Sequence, residues 1–186
     1  MFLGRYGMDL NRDVQLLLSQ GGNEQLALLR QGLADAAIFT PPGSVRAREI
    51  GLREVLALAE ANIPFATAVI SVNRPWSERN GEVIRAFLRA YGEGLRVANT
   101  DPAAARDALA RYTRLDDAAV LDEIYTFTSP AWPKGPPYPS VPAIQTVLDL
   151  QDSPAARTAR AEDFVDTQYV RALEESGFYR QIGLQP

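Results

Sequence analysis

The sequence contains no cysteine and no histidine. Without cysteine there is no disulfide and no thiolate nucleophile, and the lack fits a periplasmic or a cytoplasmic setting equally. Without histidine the chain lacks the commonest general base and transition-metal ligand, and a Ser-His-Asp triad cannot form within it. Basic runs are missing too. The arginines are scattered, the formal charge is −4 and the pI is near 5.0, so nothing points to nucleic acid as a partner. No apolar run is long enough to cross a bilayer. The first residues show no basic segment, apolar core or small-residue cleavage site of a secretion signal. No internal repeat or low-complexity tract occurs.

What remains is the composition of an ordinary globular protein. The 186 residues are 46% hydrophobic and 23% charged, enough to bury a core. The most informative stretch is GGNEQLALLRQGLADAAIFTPP, Gly21 to Pro42. Leu26, Leu29 and Leu33 recur at helical spacing. Asn23 suits an N-cap, Glu24 places a carboxylate in the first turn, Arg30 lies in the last turn, and Gly32 suits a left-handed closing residue. Ala36–Phe39 is an apolar run bounded by Asp35 and by Thr40-Pro41-Pro42, which predicts a strand buried on both faces. Val14–Ser19 predicts a strand before the helix. The unit reads as β-loop-α-β, whose natural form is a parallel pair with a crossover helix.

Further along, Gly43–Ile50 predicts a short helix capped by Ser44 and closed by Gly51. A short strand follows around Val55–Ala57. Asn62-Ile63-Pro64 is a break, and β-branched Ala66–Val72 predicts another strand. Beyond Trp76 the pattern is mostly helical. Ser77–Asn99 carries an apolar stripe of Val83, Ile84, Phe87, Leu88, Tyr91 and Leu95, with close packing or a kink near Gly92. Asp101-Pro102 opens a second helix, and Asp116 or Asp117 a third. Pro-rich Ser129–Ser140 is a loop. Ala143–Leu150 and Thr167–Ser176 predict helices, Gln151–Ala161 a loop, and Phe178–Leu184 a tail.

In an open α/β sheet, ligands sit beyond the carboxyl ends of the strands. Two places qualify. Gly21, Gly22 and Asn23 follow the first strand and offer backbone N–H groups at a helix N-terminus. Phe39, Thr40 and Pro41 follow the second and offer a ring, a hydroxyl and a stiff loop. A small oxyanion suits both, although Gly-Gly before a helix also serves as a simple turn, Phe39 as a core residue, and the prolines as a strand terminator. Asp35 stands at the wrong end of its strand for the cleft and reads as a turn residue. Asp116-Asp117 and Asp122-Glu123 read as caps and a solvated face rather than a metal site, and Glu162-Asp163 with Asp166 as caps. Trp132 and Tyr138 either line a cleft or pack the Pro-rich loop on the helices. Arg74 either pairs with an anion or is simply exposed. No cofactor and no metal is expected.

The stretch from Gly21 to Pro42 resembles the solute-binding proteins of nitrate, sulfonate and taurine ABC importers, in a superfamily that includes thiamine-pyrimidine precursor synthases. The shared features are Gly21-Gly22, the Leu- and Ala-rich helix, Gly32, Asp35-Ala36 and Pro41-Pro42. Ile63-Pro64, Arg111-Tyr112-Thr113, Pro137-Tyr138-Pro139-Ser140, Ile144-Gln145-Thr146 and Glu162-Asp163-Phe164-Val165-Asp166 extend the resemblance over nearly the whole chain. It implies an α/β, type II periplasmic-binding-protein-like fold. Residues 1–64 would form a small α/β lobe, incomplete at its N-terminus. Residues 65–186 would hold a hinge strand and a mostly helical return to a first lobe that is largely missing. The hinge is expected near Ile63–Phe65. Family members begin well before this point, so the chain is expected to be the C-terminal portion of a longer protein; a short protein starting here is the alternative.

The implied function is capture of a small-molecule ligand between two lobes for delivery to an ABC permease. The protein would be periplasmic or extracytoplasmic and would meet the membrane only through the permease. It would not be an enzyme. An enzyme of thiamine-pyrimidine precursor synthesis is the alternative, weakened because the histidine consumed in those proteins has no counterpart here. An orphan or regulatory half-domain is a third reading. Val14–Ser19 and Ala66–Val72 are expected to lack strand neighbours and so to favour association.

Overall fold

Helices dominate the chain. The computed structural model describes residues 3–10, 12–61 and 63–185. The chain divides into two units, Met1–Ala57 and Leu58–Pro186.

The first unit is built on α1 (Gly22–Arg30) and α2 (Gly43–Glu49). Gly21, not Asn23, is the N-cap of α1, and Asn23 lies within its first turn. Both helices close in the same way. Gly32 and Gly51 take positive φ, and in each case two N–H groups return to the last turn. Gly32 N–H donates to Leu29 O and Leu33 N–H to Leu28 O; Gly51 N–H donates to Arg48 O and Leu52 N–H to Ala47 O. These bonds satisfy carbonyls that the helix end would leave bare, and glycine reaches the required conformation without a Cβ clash. Ser44, expected as the cap of α2, lies inside it; the N-cap is Pro42, which offers no side-chain acceptor.

The expected strands are corrected. No described residue forms a strand. Val14–Ser19, Ala36–Phe39 and Val55–Ala57 run without a backbone–backbone hydrogen bond to any described residue. Ala66–Val72 has only a turn bond, from Thr67 N–H to Phe65 O. The run Ala36–Phe39 is not buried on both faces. Ile38 is 72% exposed and only Phe39 is half-buried. The reason is cooperative. An apolar, β-branched run favours extended backbone, but a strand exists only when a second chain segment takes up its N–H and C=O groups.

The second unit is helical: α3 (Arg74–Arg79), α4 (Gly81–Thr100), α5 (Pro102–Thr113), α6 (Ala118–Thr128), α7 (Val141–Asp149), α8 (Pro154–Thr158), α9 (Gln168–Glu175) and α10 (Phe178–Gln181). The single helix expected from Ser77 is two, broken at Asn80. The starts are encoded by side-chain caps. Asn73, Asp101, Asp117, Ser140 and Ser153 each accept from a backbone N–H of the first turn, and proline follows directly or nearly so in all but one. One such cap, Ser153-Pro154, makes α8 out of the expected loop.

The core gathers Leu95 of α4, Val170 and Leu173 of α9, and Phe178, Tyr179 and Leu184. The expected tail is therefore the centre of the unit. Gly177, at positive φ, ends α9 and turns the chain so that α10 packs back. Gly92 lets it approach: a Cβ there would lie 3.2 Å from Tyr179 Cε1 and 3.3 Å from Phe178 Cε1. The close packing expected near Gly92 is observed, and α4 runs through it without interruption.

Candidate ligand-binding site

The first unit holds a cavity of about 690 Å³. Gly21, Gly22, Asn23, Phe39, Thr40 and Pro41 all line it. The two places named from the sequence are therefore one place. The carboxyl ends of the extended segments 14–19 and 36–39 meet there, although neither segment is a strand. The Pro41–Pro42 peptide is cis. Gly43 starts α2 at the cavity, where a Cβ would come within 3.0 Å of the Phe39 ring, so the ring lies directly on the glycine.

Two helices begin at this cavity, α1 at Gly22 and α2 at Gly43. Both bring the positive end of a helix dipole, but the Gly43 and Ser44 N–H groups of α2 already donate to Thr40 O, so the N–H groups open to a ligand belong chiefly to α1. Two charged side chains on the lining went unremarked in the sequence as site residues. Arg46, in the first turn of α2, donates from Nη1 to Asn23 Oδ1 at 2.9 Å. Glu24 accepts the Gln20 N–H at 2.6 Å and closes the entry to α1. The signal for Arg46 was its place three residues after Gly43, which puts it at the helix start. A cation and a carboxylate on opposite helices suit a small anion or a small zwitterion, with Phe39 and Ile38 as the apolar wall.

The remaining candidates lie elsewhere. Asp35 is exposed and does not line the cavity. Asp117 caps α6, accepting from Ala119 N–H and Val120 N–H, and Asp122 pairs with Arg106. Asp166 accepts from Gln168 N–H at 3.0 Å. Arg74 donates from Nη2 to Asp163 O at 2.8 Å. Trp132 meets Tyr125 edge-on and packs against the core of the second unit. The Tyr138 hydroxyl donates to Glu174, which holds the phenol above its ordinary pKa. Among the described residues no group of three or more Asp or Glu side chains converges as a metal site.

Comparison with protein-family models, with curated proteins and with solved structures found no match.

Proposed function

We propose that the chain is the solute-capturing part of a binding protein similar to those of nitrate, sulfonate and taurine importers, with an ABC permease as the acceptor of the solute. The observation that carries this reading is the convergence of Gly21, Gly22, Asn23, Phe39, Thr40 and Pro41 on one cavity, together with Arg46. Its volume suits a small molecule. The N-terminus of α1 and the Arg46 guanidinium provide donors for a sulfonate, nitrate or carboxylate. The mechanism is reversible capture, with no bond made or broken. On this reading the protein works outside the cytoplasm. The finer fold, a type II periplasmic-binding arrangement with a hinge near Ile63–Phe65, belongs to the same proposal.

Thermal shift of the purified chain against taurine, alkanesulfonates, nitrate and thiamine precursors tests the reading. A ligand that binds only the native state raises the melting temperature once it exceeds its dissociation constant. A saturable rise with one anion class is the expected result. A cooperative melt that none of these compounds moves would overturn it.

A further inference from the structure

We propose that the Pro-rich segment Pro133–Pro139 is a strap that opens by itself while the helices of the second unit stay folded. Both of its ends are fixed. Ser129–Ala131 continues α6 as a short 3-10 turn, Trp132 packs edge-on against Tyr125, and Ser140 caps α7. Between them, four of the seven residues are proline and have no N–H to donate. Among the described residues the strap makes one backbone–backbone hydrogen bond, and it is local, from Tyr138 N–H to Pro136 O at 2.8 Å.

Side chains hold the strap down at two latches. At one, Asn99 of α4 donates from Nδ2 to Pro133 O at 2.8 Å and accepts from Lys134 Nζ, which also donates to Ser129 O at 2.9 Å. At the other, the Tyr138 hydroxyl donates to Glu174 of α9. Lys134, Tyr138 and Glu174 are exposed, so water stands ready to replace these bonds. Tyr179 sets the balance. Its ring is 2% exposed, and its hydroxyl has no hydrogen-bond partner among the described residues. Tyr138 and Glu174 act electrostatically on that phenol, which puts the second latch beside it. The closed strap keeps the hydroxyl dry, at a cost comparable to the bonds that hold the strap. Opening frees Glu174 and admits water, and either can accept from the hydroxyl. Closed and open states are therefore close in free energy.

Lys134 is the only lysine in the chain, so a lysine-specific protease cuts the native protein inside the strap alone. Cutting needs a detached segment, and its rate reads the population of the open form. The full chain is digested in low urea, well below its unfolding midpoint, and an unstructured peptide of residues 128–142 gives the intrinsic rate. The expected result is one cut, slower than in the peptide and nearly independent of urea, because opening the strap exposes little surface. Tyr138→Phe and Asn99→Ala each remove a latch and should speed the cut about two- to tenfold. Tyr179→Phe gains nothing from wetting and should slow it about fivefold or more. Helical dichroism checks that each variant stays folded. A rate that climbs steeply with urea from the start assigns the cut to global unfolding and overturns the proposal. So do an uncut native chain, latch variants that are cut no faster than the parent, and a Tyr179→Phe variant that is cut as fast.

Discussion

Arg46 Nη1 donates to Asn23 Oδ1 at 2.9 Å, tying the first turn of α2 to the first turn of α1 at the candidate cavity. The contact fixes the guanidinium where an incoming anion would meet it. A charge-assisted hydrogen bond contributes about 1.5–3 kcal/mol. Arg46→Ala should therefore weaken binding of a sulfonate or carboxylate by about one to two orders of magnitude. Both residues are exposed, so the melting temperature of the free chain should change little. Calorimetric titration with the anion found by thermal shift checks this. Unchanged affinity would remove Arg46 from the site.

Gly43 supports the same cavity by being small. A side chain there meets the Phe39 ring at once. Gly43→Val should push the ring toward the cavity and weaken ligand binding, while Arg46 keeps its charge. Titration of this variant alongside Arg46→Ala separates shape from electrostatics: loss in only one of the two would tell which of them selects the ligand.

The sequence was most legible where a signal is local. Asp101-Pro102 and Asp117 mark helix starts because cap and backbone lie within three residues, and Gly32 and Gly51 mark helix ends for the same reason. The residues named from the junctions of an expected β-loop-α-β unit line one cavity although the strands of that unit are absent among the described residues, because the turns at Gly21 and at Pro41-Pro42 are local and lead directly into α1 and α2. The strands failed because pairing is not local. Val55 is 78% and Leu18 96% exposed in segments whose composition asks for burial, and nothing within either run specifies a neighbour. The tail failed because Phe178, Tyr179 and Leu184 are too short a run to show periodicity. The burial of Phe178 and Tyr179 depends on Gly92, more than eighty residues away in sequence, leaving room.

That room makes a second test. Gly92 sits in the interior of α4, where alanine would ordinarily gain about 1 kcal/mol of helix propensity. A branched side chain instead collides with Tyr179, Phe178 and Ile182, all within 3.5 Å of the Cβ position. Overpacking of this kind costs about 1–3 kcal/mol. Gly92→Val should lower the unfolding free energy of the second unit by that amount, read as a lower urea midpoint at unchanged slope. A midpoint equal to or above the parent's would show that α10 can move away freely.

Asp117 supplies a smaller, cleaner effect. Its carboxylate accepts from Ala119 N–H at 2.9 Å and Val120 N–H at 3.2 Å. Asp117→Ala should cost about 1 kcal/mol, and Asp117→Asn markedly less, because the amide oxygen still accepts. Denaturant titration of the two variants checks the order. Equal loss in both would assign the effect to the charge at the helix start rather than to the hydrogen bond.

Tyr179 carries the most exacting prediction. Its ring is buried, and its hydroxyl is enclosed with no hydrogen-bond partner among the described residues. An unsatisfied buried hydroxyl costs about 1–3 kcal/mol, so Tyr179→Phe should stabilise the unit at neutral pH by removing it without changing the ring. Burial, with smaller contributions from Tyr138 and Glu174, pushes the Tyr179 phenol up to about 12. An unfolded tyrosine ionises near 10. The folded pKa is the higher one, so its contribution is fully present below pH 10 and is lost as pH rises through about 12. In that window the unfolded chain releases its proton first and is favoured. The parent should therefore lose stability steeply above pH 10 and Tyr179→Phe less so, with a residual slope from Tyr138, whose bond to Glu174 also raises it. Urea midpoints at neutral pH and at about pH 10.5 decide the matter. If Tyr179→Phe is less stable than the parent at neutral pH, the hydroxyl has a partner in solution. If its alkaline slope equals the parent's, the burial of the phenol is not what destabilises the unit at high pH.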